Sequence, residues 1–153
     1  MTLNVLRFVS VLLTAVAMAS GFAHLLELPN KIGLSREDYL TVQQIYRGWA
    51  LLGIAVVGAL VSTTVLAVQV RGTPTQFYLT LAAALCIALS LVVFFVLTFP
   101  ANRQTSNWTV LPENWQELRR RWEYSHAVGA GLYFLALSLL TLSLLVGRGS
   151  DGR

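Results

Sequence analysis

The chain has 153 residues, 56% of them hydrophobic and 12% charged, with a mean hydropathy of +0.65. A soluble domain carries roughly 25% charged residues, so this composition excludes an ordinary water-soluble fold. The formal charge of +4 and a pI near 9.7 do not point to nucleic acid, because no basic run exists outside one polar stretch; arginines beside a bilayer, facing lipid phosphates, account for the charge.

In chain order, Met1 to Asn4 form a short stub, and a first helix is expected over residues 5–28, ending at Pro29-Asn30. Its apolar run, Phe8 to Leu26, is 19 residues long and contains His24. Arg7, this run and the small triplet Ala17-Met18-Ala19 resemble a cleaved signal peptide. The run continues past the would-be cleavage site to Leu26, which favours a retained helix. Lys31 to Leu34 read as a turn, and Ser35 with Asp38 three residues on reads as a helix start.

A second helix is expected over 36–70. At 1.5 Å per residue it would span about 52 Å, more than the roughly 30 Å hydrocarbon core, so its first turns should stand out of the membrane or bend near Gly48. In that protruding part Gln43, Tyr46 and Arg47 are free to point at neighbours. After the Arg71-Gly72-Thr73-Pro74 turn, a third helix is expected over 75–99, ending at Pro100. A loop follows to Pro112, then a fourth helix over 113–146 and a mobile polar tail from Arg148. Trp49 to Val70, Gly72 to Asn102 and Ala127 to Gly147 hold 22, 31 and 21 residues without a charge, each enough to cross a bilayer.

With no repeat and no low-complexity tract, the sequence reads as one all-α domain over 1–153: an integral membrane, up-down four-helix bundle with a small polar headpiece on one side. It is expected to be a multi-pass protein of a bacterial inner membrane. The headpiece side carries seven basic residues against four on the terminal side, which taken literally places it in the cytoplasm. Its six acids leave the orientation open. The lone Cys86, mid-span, has no partner for an internal disulfide and reads as packing.

Two constellations lie at the headpiece end. The first helix approaches it as His24-Leu25-Leu26-Glu27 and the fourth leaves it as Glu123-Tyr124-Ser125-His126. Glu and His three apart share a helix face, the spacing that bundles use for carboxylate-bridged metals. If the two helices are neighbours, His24, Glu27, Glu123 and His126 form a candidate set for one iron, zinc or copper ion. The second and third helices have no carboxylate within their membrane spans, so a di-iron site is not expected. The two histidines are also a candidate pair for a b-type haem, there being no CxxCH for covalent attachment. The third reading is a cofactor-free hydrogen-bonded network or pocket, because ionisable groups at membrane depth need partners.

The second constellation is the stretch from Asn102 to His126, with three of the four tryptophans. On a helix Trp115, Arg119, Trp122 and His126 line one face. The favoured reading of Trp49, Trp108, Trp115 and Trp122 is an interfacial belt, the other an aromatic-lined pocket. Arg120 is placed to pair with Glu123, and Glu117 with Arg121. Asn107-Trp108-Thr109 matches a glycosylation sequon of low specificity.

Phe99-Pro100-x-Asn102, Trp108, and then Trp115-x-x-Leu118-Arg119-x-x-Trp122-x-x-x-His126 together resemble the anthrone oxygenase-like family of small four-helix membrane proteins. The resemblance implies an enzyme that oxidises a hydrophobic aromatic or quinone-like molecule with dioxygen. It implies a site at Asn102, Trp115, Arg119, Trp122 and His126. In that reading His126 is the base, Arg119 and Asn102 stabilise the oxyanion, and Trp108, Trp115, Trp122, Tyr46 and Arg47 contact the substrate. An anthrone-type carbanion reacts with dioxygen directly, so a metal is not demanded. The alternative is a non-catalytic scaffold or accessory subunit whose headpiece binds a partner protein or lipid head groups. The expected partners are the bilayer, a hydrophobic small molecule and further copies of the chain, with no nucleic acid.

Overall fold

The structure, a computed structural model, describes residues 2–150. Six α-helices follow in order: α1 (Leu3–Lys31), α2 (Arg36–Gln43), α3 (Leu52–Gln69), α4 (Pro74–Val93), α5 (Phe99–Gln104) and α6 (Trp115–Ser150). Among the described residues there is no strand. Four helical stretches, Leu3–Lys31, Trp49–Gln69, Pro74–Gln104 and Trp115–Gly147, are long and apolar enough to cross a membrane. The fold is thus the expected all-α bundle of a multi-pass membrane protein. α1 packs on α3 and α6, and α4 packs on the same two, which closes a ring of four.

The helix ends depart from expectation in ways that matter for the headpiece. α1 does not stop before Pro29 but carries it internally and ends at Lys31, with the Ile32 N–H donating to the Leu28 carbonyl at 3.0 Å. The three extra residues bring Lys31 onto the buried face of the helix, where it is 4% exposed. The long second helix breaks as foreseen near Gly48. This glycine sits at φ +90°, in left-handed space that a side chain disfavours, between one-turn 3₁₀ segments Gln44–Tyr46 and Trp49–Leu51. The Ser35 hydroxyl caps α2 by accepting from the Asp38 N–H at 3.1 Å.

The third span runs past Pro100 to Gln104. Its turn Phe94–Thr98 is a π-helix, and that wider turn accommodates the proline's missing N–H and ring without ending the helix. Ser106, Asn107 and Trp108 then take φ of 48°, 56° and 60°, three successive left-handed residues that fold the chain back over the headpiece. The hairpin is held by Asn107 N–H on the Asn102 carbonyl at 2.7 Å and Trp108 N–H on Thr105 Oγ1 at 3.1 Å. The expected polar tail is helical as far as Ser150, and residues 151–153 lie outside the described residues.

The core has two parts. Leu6, Ala59, Leu66, Val70, Ala83, Ile87, Ala136 and Leu140 fill the bundle toward its terminal end. Tyr39, Ala101, Trp108, Leu111, Trp115, Leu118 and Trp122 form a separate core under the headpiece. Trp108, Trp115 and Trp122 are therefore not an interfacial belt: they are 3%, 9% and 4% exposed. The left-handed hairpin and α2 cover them, and burying three indoles gives this small headpiece its own apolar centre.

Candidate functional site

α1 buries Ser10, Thr14, Ala17, Gly21, His24 and Lys31, a stripe spaced by three, four and seven residues. α6 presents Trp115, Leu118, Arg119, Trp122, Glu123 and Ser125 as its buried residues at the headpiece end. Because α1 and α6 are direct neighbours, the His24 and His126 rings meet, with centroids 4.1 Å apart and planes at 49°. Trp122 closes on both, 4.9 Å from His24 and 4.1 Å from His126, while Tyr46 and Trp49 lie 4.5 and 5.3 Å from His24.

The two imidazoles have different partners. His126 Nδ1 lies 2.8 Å from the Trp122 carbonyl oxygen. A carbonyl can only accept, so in the neutral ring Nδ1 carries the proton and Nε2 holds the free lone pair. His24 is 6% exposed, and its Nδ1 is buried without a protein partner. Neither glutamate orients a histidine.

Glu27 and Glu123 instead converge on Lys31. Its ammonium lies 3.4 Å from Glu27 Oε2 and 3.2 Å from Glu123 Oε1. It also donates to the Tyr46 hydroxyl, which in turn donates to Glu27, and it lies 4.3 Å from the Tyr46 ring centroid and 4.9 Å from that of Trp122. Glu123 is wholly buried and also accepts from the Tyr39 hydroxyl at 2.9 Å, while the Gln43 amide donates to that hydroxyl at 2.6 Å. Burial first, and then the adjacent Glu123 carboxylate, raise the Tyr39 phenol well above its ordinary range, so it remains a neutral donor.

Arg119 donates to the Leu34 carbonyl at 2.8 Å and lies over the Trp115 and Tyr39 rings, at 4.6 and 5.3 Å from their centroids. Its Nε is buried and has no partner. Asn102 Oδ1 accepts from two indoles, Trp122 Nε1 at 2.8 Å and Trp108 Nε1 at 3.2 Å. Arg47 is exposed and bonds only locally, to Gln44 at 3.0 Å, so it stands apart from the cluster. Glu117 and Arg121 pair at 2.7 Å as expected, whereas Glu123 pairs with Lys31 and not with Arg120.

The candidate metal set, His24, Glu27, Glu123 and His126, meets at one end of the bundle but around a lysine. Among the described residues no three His, Cys, Asp or Glu side chains are arranged to hold a metal ion. The ammonium occupies the place between the carboxylates that a bound cation would take. A b-type haem needs its two imidazoles on opposite faces of the macrocycle, and rings in mutual contact leave no room for one. The residues present thus fit neither group. Two open surface hollows, one lined by Leu40, Thr41, Gln44 and Thr109, the other by Pro100, Arg103 and Gln104, include none of the cluster residues.

Lys31 and Tyr39 were not singled out by sequence as site residues. For Lys31 a signal existed: it lies four residues after Glu27 and seven after His24, on one helical face if α1 is carried through Pro29. Tyr39 had no comparable signal, because α2 reaches Glu123 only through the chain reversal at Lys31–Ser35. Comparison with protein-family models, with curated proteins and with solved structures gives no match to this chain.

Proposed function

We propose that this chain is an oxygenase-like membrane oxidoreductase that deprotonates a hydrophobic aromatic or quinone-like substrate, with His126 as the base. The observation that carries this reading is the bond from His126 Nδ1 to the Trp122 carbonyl. It holds the imidazole in one tautomer with a basic Nε2, in a ring set against aromatic faces at the polar end of a membrane bundle. The resemblance of Asn102, Trp115, Arg119, Trp122 and His126 to the anthrone oxygenase-like pattern supplies the substrate class. An inner membrane of a bacterium is the setting assigned, since that membrane holds helical bundles whereas the outer membrane holds barrels.

For an anthrone-type substrate the chemistry closes without a further reductant. His126 Nε2 takes one proton from the acidic CH₂. The carbanion gives its electrons to dioxygen, and a C–O bond forms. The proton returns to yield a hydroperoxide, which loses water and leaves the new carbonyl. Two donors are candidates for an oxyanion role, Asn102 through the Trp122 indole that packs on His126 and Arg119 about two helical turns from it. Asn102 has its carbonyl fixed by two indoles, which turns its NH₂ the other way, and Arg119 Nε is buried without a partner.

The test is quinone formation and dioxygen uptake by purified protein in detergent given an anthrone. His126→Ala is expected to lower the rate by roughly 10²–10⁴-fold, the usual contribution of a general base. Turnover by His126→Ala at the wild-type rate, or no turnover by the wild type, contradicts the proposal.

A further inference from the structure

The meeting of the two histidines depends on how closely α1 and α6 approach, and one residue sets that approach. A Cβ built on Gly21 would stand 3.1 Å from the Ala130 Cα, 3.3 Å from its Cβ and 3.4 Å from its nitrogen. The obstacle is the backbone of α6, which cannot swing aside as a side chain can. Gly58 and Gly147 also face close neighbours, but there the atoms belong to the Leu13 and Gln76 side chains. Gly21 lies three residues before His24, and Ala130 four residues after His126, so the helices touch about one turn from the imidazole pair. The rings meet at 4.1 Å one turn above this contact, and His24 Nδ1 is buried there without a partner.

We infer that Gly21 is a positioning residue: its missing side chain lets α1 lie against the Ala130 backbone and thereby holds His24 against His126. This inference rests on the base role given to His126. Its consequence is specific. A methyl at position 21 forces the helices apart at the crossing and separates the rings, while the headpiece bonds among Lys31, Glu27, Glu123 and Tyr46, two to three turns from the crossing, are left to hold the fold. Displacement of a reacting group by about 1 Å can cost about 100-fold in rate.

The chain has only two histidines, so histidine-specific ¹³C labelling gives two ring systems and their mutual nuclear Overhauser effect reports ring contact directly. In the full-length wild type in detergent the inter-ring effect is expected to be strong. Gly21→Ala should weaken or abolish it and lower anthrone turnover by roughly 10–100-fold through kcat. Gly129→Ala, beside Ala130 but with nothing within 4 Å of its added Cβ, should change neither. Gly21→Ala with Ala130→Gly relieves the 3.3 Å contact with the Ala130 Cβ but not the 3.1 Å contact with its Cα, so it should recover at most part of the inter-ring effect. A wild type without the inter-ring effect, or an effect that survives Gly21→Ala or falls equally in Gly129→Ala, overturns the inference. Because the contact is read without substrate, a failed anthrone assay with an intact wild-type ring contact counts against the proposed function and not against Gly21.

Discussion

Buried polarity toward the terminal end of the bundle is satisfied mostly within single helices. Ser10 donates to the Leu6 carbonyl at 2.9 Å, Thr14 to that of Ser10 at 2.7 Å and Thr80 to that of Gln76 at 2.8 Å. The links between helices there are few, chiefly Thr80 with Ser143 at 2.9 Å and Arg7 with Gln76 at 3.0 Å. At the headpiece end the partners come from different elements: Lys31 of α1 with Glu123 of α6, Tyr39 of α2 with Glu123, and Arg119 of α6 with the Leu34 carbonyl. Of the five buried polar atoms without a protein partner among the described residues, four lie at the headpiece: His24 Nδ1, Gln43 Oε1, Arg119 Nε and Glu123 Oε2. A hydroxyl bonded to its own helix can be lost with little consequence, because nothing else relied on it. A charge buried against another element cannot, because its partner is left behind in a low dielectric. The terminal end is thus a packing interface, and the headpiece is where the sequence keeps groups that packing alone would not select.

Lys31→Met should break this contrast most sharply. It strands the wholly buried Glu123 and should destabilise the protein by about 3–5 kcal/mol, seen as a lower midpoint in denaturant unfolding in detergent. Adding Glu123→Gln to Lys31→Met should recover part of that loss, since the stranded charge is removed. An unchanged midpoint for Lys31→Met would place the lysine outside the cluster.

Tyr39→Phe should have a smaller effect, about 1–3 kcal/mol, by leaving Glu123 and Gln43 each short of a partner. It also carries a pH signature. The folded Tyr39 holds its proton above the ordinary value of 10.0, whereas the unfolded tyrosine releases it there. The unfolded state then binds fewer protons, so stability should fall as pH rises above about 10. Unfolding midpoints against pH should decline less steeply above that point for Tyr39→Phe than for the wild type. Parallel curves would show that the phenol is not held neutral.

Thr80→Val, at the terminal end, should cost only about 0.6 kcal/mol, the typical worth of one hydrogen bond between membrane helices. A loss comparable to that of Lys31→Met would erase the distinction between the two ends.

Much of the fold was legible because the bilayer imposes a length on apolar runs, and three charge-free runs plus the His24 run gave the four spans. The helix ends were less legible, because proline reads as a stop while its effect depends on the surrounding turn. Pro29 sits inside α1, and Pro100 is accommodated by the π turn at Phe94–Thr98. That one misreading also hid Lys31, since a turn at residues 31–34 gives the lysine no face. The nearness of His24 to His126 followed from the mirrored spacing, but the ring contact at 4.1 Å depends on the Gly21–Ala130 approach, which no local pattern announces. The tryptophans misled for a related reason: interfacial enrichment describes spans meeting lipid, and here a left-handed hairpin buries them beneath a headpiece.

The most direct measurement is the ¹⁵N spectrum of the histidine rings in the uniformly His-labelled, full-length protein at neutral pH, with His24→Gln used to assign the two rings. His126 is expected to show a protonated, pyrrole-type Nδ1 and an unprotonated, pyridine-type Nε2, as its bond to the Trp122 carbonyl requires. A His126 ring protonated at Nε2, or at both nitrogens, would contradict its assignment as the base.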